Sequence, residues 1–252
     1  MLSPDRQLAV FDLENTLIAT NVVDSYAWLA TRKMGLPERA RFTVRTLLEA
    51  PRMFALDMVD RGDFLRWFYR RYEDADLGEL SGEAWELTSD LLLAKAFPAG
   101  IRRVREHRAL GHRTLLITGA LDFVIEPFRP LFDDVVCAHM SVGSQNGELS
   151  GELEEAPPTG EARALIMAEY AAAHGLRLSE CVAYADSTSD LPMLEASGYP
   201  VAVNPETKLA AIARKRGWHV EHWPRAQGYR RALLPLGPMV SQKRGSGSLK
   251  EV

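Results

Sequence analysis

Short apolar runs that close on oxygen-bearing side chains constrain this chain more than any other feature. The run LAVF within Gln7–Leu13 closes on Asp12, RTLLIT (Arg113–Thr118) closes on its own hydroxyl before Gly119, and CVAYA (Cys181–Ala185) closes on Asp186. Pro200–Val203 closes on Asn204, and Val135–Ala138 is a weaker run of the same kind. Runs this short, without polar alternation, read as strands buried on both faces. Longer amphipathic stretches separate them. Pro98–Gly111 reads as a helix with Ile101, Val104 and Leu110 facing inward, and Thr207–Lys215 as another, ending near Gly217. Between these, Gly160–His174 presents Ala164, Leu165, Met167, Ala168 and Ala171 before Gly175 stops it. Strand and helix in alternation give an α/β fold, a Rossmann-like parallel sheet with helices over it.

One interval breaks the alternation. Residues 17–97 contain no convincing strand; Asn21–Lys33, Arg39–Leu56, Arg61–Tyr72 and Leu77–Ala94 read as helices. The spacing therefore predicts an α/β core over 1–16 and 98–232 with an all-helical cap subdomain, 17–97, inserted behind the first strand. A lid there shapes a substrate pocket. Met140–Leu153, with Gln145-Asn146-Gly147, reads as a hairpin, and residues 233–252 as a flexible tail.

Composition narrows the class of function. The 252 residues are 46% hydrophobic and 25% charged with a net charge of -4, ordinary for a globular protein and lacking the basic excess of a nucleic-acid binder. Cys137 and Cys181 are too few for a disulfide framework and read as small buried hydrophobes in a reducing compartment. The N-terminus has no signal-peptide pattern and no apolar run spans a bilayer, so the expected location is cytoplasmic.

In an open parallel sheet, ligands bind outside the carboxyl ends of the strands. Asp12 and Glu14, Thr118, and Asp186 with Asp190 would meet at one such edge if their strands are neighbours. Carboxylates backed by a hydroxyl suit a hard divalent cation such as Mg²⁺ and suit phosphoryl transfer through an aspartyl-phosphate. Backbone amides after Leu13 and Thr118 would complete an anion cradle. Each acid also has an ordinary reading as a turn or cap residue; Asp186–Asp190 reads equally well as a loop capping a helix that starts near Leu191.

The same segments resemble the haloacid dehalogenase-like (HAD) hydrolases, in the subclass related to phosphoserine phosphatase. Phe11-Asp12-Leu13-Glu14-Asn15-Thr16-Leu17 is similar to the family's first motif, and Leu115-Leu116-Ile117-Thr118-Gly119 to its second. Gly160-Glu161-Ala162-Arg163 stands where the third places a lysine, and Ala185-Asp186-Ser187-Thr188-Ser189-Asp190-Leu191-Pro192-Met193 resembles the fourth. Pro200–Pro205 and Gly217-Trp218 add to the likeness, which runs in order from about residue 8 to 223. The resemblance implies a Mg²⁺-dependent phosphomonoester hydrolase in which Asp12 attacks phosphorus. It implies a metal set of Asp12, Glu14 through its backbone carbonyl, Asp186 and Asp190. Thr118, Gly119 and Arg163 would bind the transferring phosphoryl group, and Glu14 would act as acid and base.

Three departures fall within that chemistry. Glu14 stands where the family carries aspartate, Arg163 where it carries lysine, and Ala185 where it carries glycine. One extra methylene moves the acid by roughly 1 Å, a displacement that can cost about a hundredfold in rate. A planar fork replaces a point charge at Arg163. These changes keep open a weakened or inactive protein that binds a phospholigand in a regulatory role, and a phosphotransferase. The expected partner is a small phosphorylated substrate, with a phospholipid head group equally open. Tyr26, Trp28, Phe42, Phe54, Phe64, Trp67, Phe68, Tyr69 and Tyr72 of the interval read mostly as helix-packing core, and Arg45 and Arg52 as solvent-facing. His219 and His222 flank what reads as a surface turn.

Overall fold

The computed structural model describes residues 1–143, 147–226 and 234–239. Strands β1 (Leu8–Phe11), β2 (Arg113–Leu121), β3 (Asp134–Ala138), β6 (Cys181–Ala185), β7 (Tyr199–Val203) and β8 (His219–Glu221) form one parallel sheet in the order β3-β2-β1-β6-β7-β8. Strands β4 (Met140–Val142) and β5 (Leu149–Leu153) form a separate antiparallel pair. The hairpin is therefore present, although Gln145 and Asn146 of its turn lie outside the described residues. From β1 the chain builds outward through β2 and β3, then returns to β1's other side with β6. That reversal leaves a crevice at the carboxyl end of β1.

Alternation along the buried strands feeds two layers. Leu8 and Val10 pack with Leu115, Ile117, Ala183 and Ala202 on one face, against α7 (Glu161–Ala173), α8 (Leu191–Ala196) and α9 (Thr207–Arg216). Ala9 and Phe11 point the opposite way, toward α5 (Pro98–Ala109), the short helix α6 (Asp122–Ile125) and the interval helices. There the Phe11 ring stacks on Tyr184 with centroids 4.6 Å apart. Leu110 and Leu165, expected in the core, are 42% and 63% exposed. Leu110 lies just past the end of α5, and Leu165 sits on the solvent side of α7, so the helical period there is set by Met167 and Ala171.

Between β1 and β2 lie α1 (Val22–Thr31), α2 (Leu36–Val59), α3 (Arg61–Tyr69) and α4 (Leu77–Leu87), with no strand beyond isolated bridges. Asn21, Asp60 and Asp76 cap α1, α3 and α4 by accepting from the amides of Asp24, Asp63 and Glu79. Each satisfies a donor the first helical turn leaves open. Phe64 and Phe68 share one buried face, whereas Phe54 is 67% exposed. Helix α2 buries only Met53 and turns Val44, Leu48, Phe54 and Met58 outward, so the expectation of a core aromatic fails at Phe54. Arg45 pairs with Glu49, and Arg52 lies over the Trp67 ring.

His219 begins β8 rather than flanking a surface turn. An edge strand of three mixed residues carries too little apolar pattern to be read. Residues 234–239 lie against α1, where the Gly237 amide donates to Thr31 Oγ1 at 2.9 Å; the remainder of the expected tail, 233 and 240–252, lies outside the described residues. Both cysteines are unbridged and buried. His107 and His112 form a buried pair, with Nδ1 atoms 2.8 Å apart and His107 Nε2 2.8 Å from the Tyr184 hydroxyl. Burial, reinforced by His112 and Arg103, pushes His107 down to about 3 and keeps it neutral.

Candidate active site

Strand pairing sets the site. Phe11 is level with Leu116 on one side and Tyr184 on the other, and the Asp12 amide continues the ladder to the Tyr184 carbonyl at 3.0 Å. The residues that follow each strand therefore meet at one edge. Asp12, Asp186 and Asp190 each offer a carboxylate oxygen within 4.8 Å of the others. Asp12 and Asp190 are almost wholly buried.

Among the described residues, a single cation enters this cluster. Arg163 Nη1 donates to Asp12 Oδ1 at 2.7 Å and to Asp190 Oδ1, while Nε donates to the Pro158 carbonyl at 2.9 Å. Arg163 stands in the first turn of α7, where the helix dipole disfavours positive charge. Burial also weighs against the charge, but Asp190 and Asp12 outweigh it and hold the guanidinium protonated. Gly160, just before the helix, adopts φ +53, a backbone state that favours glycine and turns the chain into α7.

One guanidinium against three carboxylates leaves two negative charges unbalanced when all are ionised. Burial, with Asp190 and Glu14, raises Asp12 to about 7 against the pull of Arg163 and the Thr16 hydroxyl. Burial, with Asp12 and Asp190, likewise pushes Asp186 well above the carboxylate range. An all-oxygen donor set with this excess of negative charge fits a hard divalent cation.

Glu14 turns elsewhere. Its carboxylate is not in the three-acid cluster but accepts from Thr118 Oγ1 at 3.1 Å. As a side-chain metal ligand Glu14 is therefore not placed, and only its backbone carbonyl remains for that role. The expected amide cradle is partly spent: Asn15 N–H goes to the Ile18 carbonyl and Ala120 N–H to Thr118 Oγ1. Asp190 immediately precedes α8 yet makes no side-chain cap; it accepts from Arg163 and, at 2.8 Å, from Ser187 Oγ. Ala185 is fully buried in β6 and has no positive φ, so its methyl brings no backbone strain.

Tyr69 and Leu65 carried no signal of their place at the site, whereas Thr16 stands within the first-motif segment. Thr16 donates to Asp186 at 3.2 Å. From α3, Tyr69 donates to the Gly119 carbonyl at 2.6 Å, and Leu65 packs so closely that a β-carbon on Gly119 would lie 2.7 Å from its methyl. Gly119 is thus required by the approach of α3. A helix face gives no hint of which strand end it covers.

The sequence profile of haloacid dehalogenase-like hydrolases matches residues 9–195. A histidinol-phosphatase of Neisseria meningitidis is 29% identical over 224 residues, covering 85% of this chain and 98% of that protein. A Streptomyces azureus protein named for inhibition of morphological differentiation is 32% identical over 222 residues, covering 85% and 78%. Among solved structures, a protein of unknown function from Bordetella pertussis Tohama I superposes with a TM-score of 0.72 at 26% identity, covering 86% of this chain and 98% of that one.

Proposed function

Since the chain belongs to the haloacid dehalogenase-like hydrolase family, we propose that it is a Mg²⁺-dependent phosphomonoester hydrolase with Asp12 as nucleophile and Glu14 as acid and base. That it is a phosphatase follows from the family and its phosphatase relative. The finer reading is carried by one observation, the convergence of Asp12, Asp186 and Asp190 within 4.8 Å around a buried Arg163. Residues 17–97 act in this reading as the cap over the core. The two buried, unbridged cysteines support a reducing, cytoplasmic setting.

The Asp12 carboxylate attacks phosphorus, and the bond from phosphorus to the alcohol oxygen breaks as the new one forms. The Glu14 carboxyl gives its proton to the departing alkoxide. Water then attacks the phosphorus of the aspartyl-phosphate and passes its proton to Glu14, releasing phosphate and restoring Asp12. Thr118 and Arg163 orient the transferring oxygens. Asp12, Asp186, Asp190 and the Glu14 carbonyl would hold a divalent ion, which when bound would supply neutralisation of phosphoryl charge.

Phosphate release from p-nitrophenyl phosphate, with and without Mg²⁺, tests this on wild type, Asp12→Asn and Glu14→Asp. Turnover that needs Mg²⁺ and disappears in Asp12→Asn is expected. Equal turnover by Asp12→Asn overturns the assignment. A second reading, a weakened enzyme that holds phospholigands, is favoured by the Glu14–Thr118 hydrogen bond, which occupies the hydroxyl meant for a phosphoryl oxygen. A faster Glu14→Asp enzyme supports that reading.

A further inference from the structure

Helix α2 presents its apolar side to solvent. Leu36, Val44, Leu47, Leu48, Phe54 and Met58 are all exposed, and at 3.6 residues per turn they share the half of the helix opposite its buried Met53. A helix of this length runs for about 36 Å. The result is a continuous stripe, which calls for an occupant where a single exposed leucine would not.

Charge along the stripe is one-sided. Arg41, Arg45 and Arg52 are exposed and follow one edge of it. A shallow groove runs along Ala40, Val44 and Leu48, with Arg41 and Arg45 beside it. The acids of α2 are engaged: Glu38 accepts from the Gly35 amide at 2.8 Å, Glu49 holds Arg45 and Arg71, and Asp57 holds Arg61 at 2.7 Å. Arg41 and Arg52 have no carboxylate partner among the described residues, and Arg52 lies over the Trp67 ring.

We propose that α2 docks the protein on an anionic phospholipid surface, with the apolar stripe at the boundary of headgroups and acyl chains and the arginines on the lipid phosphates and carboxylates. Among the described residues no helix is long and apolar enough to cross a bilayer, so the contact is with its surface. A second copy of the chain answers the face less well. An antiparallel two-fold pair sets each arginine row beside its own copy, with no free carboxylate on α2 to separate them. A parallel pair sets that row against the opposite edge, whose one acid, Asp57, is held by Arg61. Pro51, within the stripe, has no amide for the Leu47 carbonyl. Headgroup water satisfies that acceptor, whereas a dry seam between two helices leaves it open.

Flotation of the full chain with vesicles tests this, whatever the chemistry at Asp12. Vesicles of phosphatidylcholine with phosphatidylserine should carry the protein up a density gradient, and phosphatidylcholine alone should bind it at least about tenfold more weakly. Arg41→Glu is expected to weaken binding to the mixed vesicles by about tenfold. Leu48→Ser combined with Phe54→Ser keeps every charge and should abolish flotation. Leu48 is 77% and Phe54 67% exposed, so that variant should retain the wild-type Tm. A wild type that does not float, or a serine variant that floats equally well, overturns the proposal. Equal binding by Arg41→Glu overturns the choice of an anionic surface. A wild type that stays off vesicles and sediments as a dimer, while the serine variant sediments as a monomer, gives the stripe to a second copy and overturns the proposal likewise.

Discussion

The two ends of this site are built on opposite physical terms. At the charged end, Asp12, Asp186 and Asp190 converge within 4.8 Å, and one guanidinium, Arg163, pairs with Asp12 and Asp190. At the apolar end, Glu14 lines a small chamber with Ile18, Val22, Tyr69, Tyr72 and Val124, and no other charged side chain among the described residues lines it. The first end concentrates charge, which is expensive to leave unbalanced. Apolar walls like those of the second penalise a charge that finds no partner. Their origins differ as well: Asp12 and Asp186 of the charged end directly follow strands of the sheet, whereas helices bring Val22, Ser25, Tyr69 and Val124 to the apolar end. A fold can change its substrate through such helices while its chemistry stays with the strands.

Substitutions at the charged end should give the largest effects. Asp12→Asn is expected to lower kcat by at least about a thousandfold, since a nucleophile has no substitute. Retention of more than a tenth of the rate would break the contrast between the ends. Arg163→Ala comes next. It strands Asp12 and Asp190 without their cation, an expected loss of about 3–5 kcal/mol in urea-unfolding stability for a buried pair. Arg163→Lys keeps the charge and gives up the Nε bond to Pro158, so it should recover most of that stability. If the two variants unfold alike, geometry rather than charge holds this end together.

The contrast also explains what could be read from the chain. Asp12, Thr118 and Asp186 were legible because each ends an apolar run, and a parallel sheet aligns such ends whatever lies between them. Arg163 was legible only through its place in a family-like segment; as a residue in a helix it would otherwise read as solvent-facing. Tyr69 and Leu65 were readable as buried helix face, but nothing in a 3.6-residue period says that the face covers Gly119. Glu14 illustrates a third case. Its position was evident, yet the direction of its longer side chain, toward Thr118 and away from the acid cluster, depends on packing across the edge.

Protonation sharpens the comparison further. With Asp12 raised to about 7 and Asp186 raised as well, the metal-free folded protein carries protons that the unfolded chain, with ordinary carboxyls, has lost. Those groups therefore favour folding at low pH, and their contribution falls as pH rises toward 7. A divalent ion bound among these acids would displace the protons. Its apparent affinity should weaken by about tenfold for each pH unit below 7 per proton released. Calorimetry in two buffers of different ionisation enthalpy counts those protons. Release of none at pH 6 would place the metal away from Asp12 and Asp186.

The smallest expected effect falls on the residue shared by both ends. Tyr69 lines the apolar chamber, while its hydroxyl donates at 2.6 Å to the Gly119 carbonyl, one residue beyond Thr118. Tyr69→Phe leaves the chamber's shape nearly intact and removes one buried hydrogen bond, at a cost of about 1–2 kcal/mol. In a chain of this size that corresponds to a fall in Tm of roughly 2–8 °C. If the bond serves only packing, the change stops there, and the Kd of inorganic phosphate with Mg²⁺ is unaltered. If the hydroxyl also holds the Thr118–Gly119 backbone in place for the phosphoryl oxygens, phosphate binds more weakly. The second outcome is expected, because the donor comes from α3 and the acceptor from the strand that presents Thr118. An unaltered Kd would mean that the two ends share a wall without sharing a constraint.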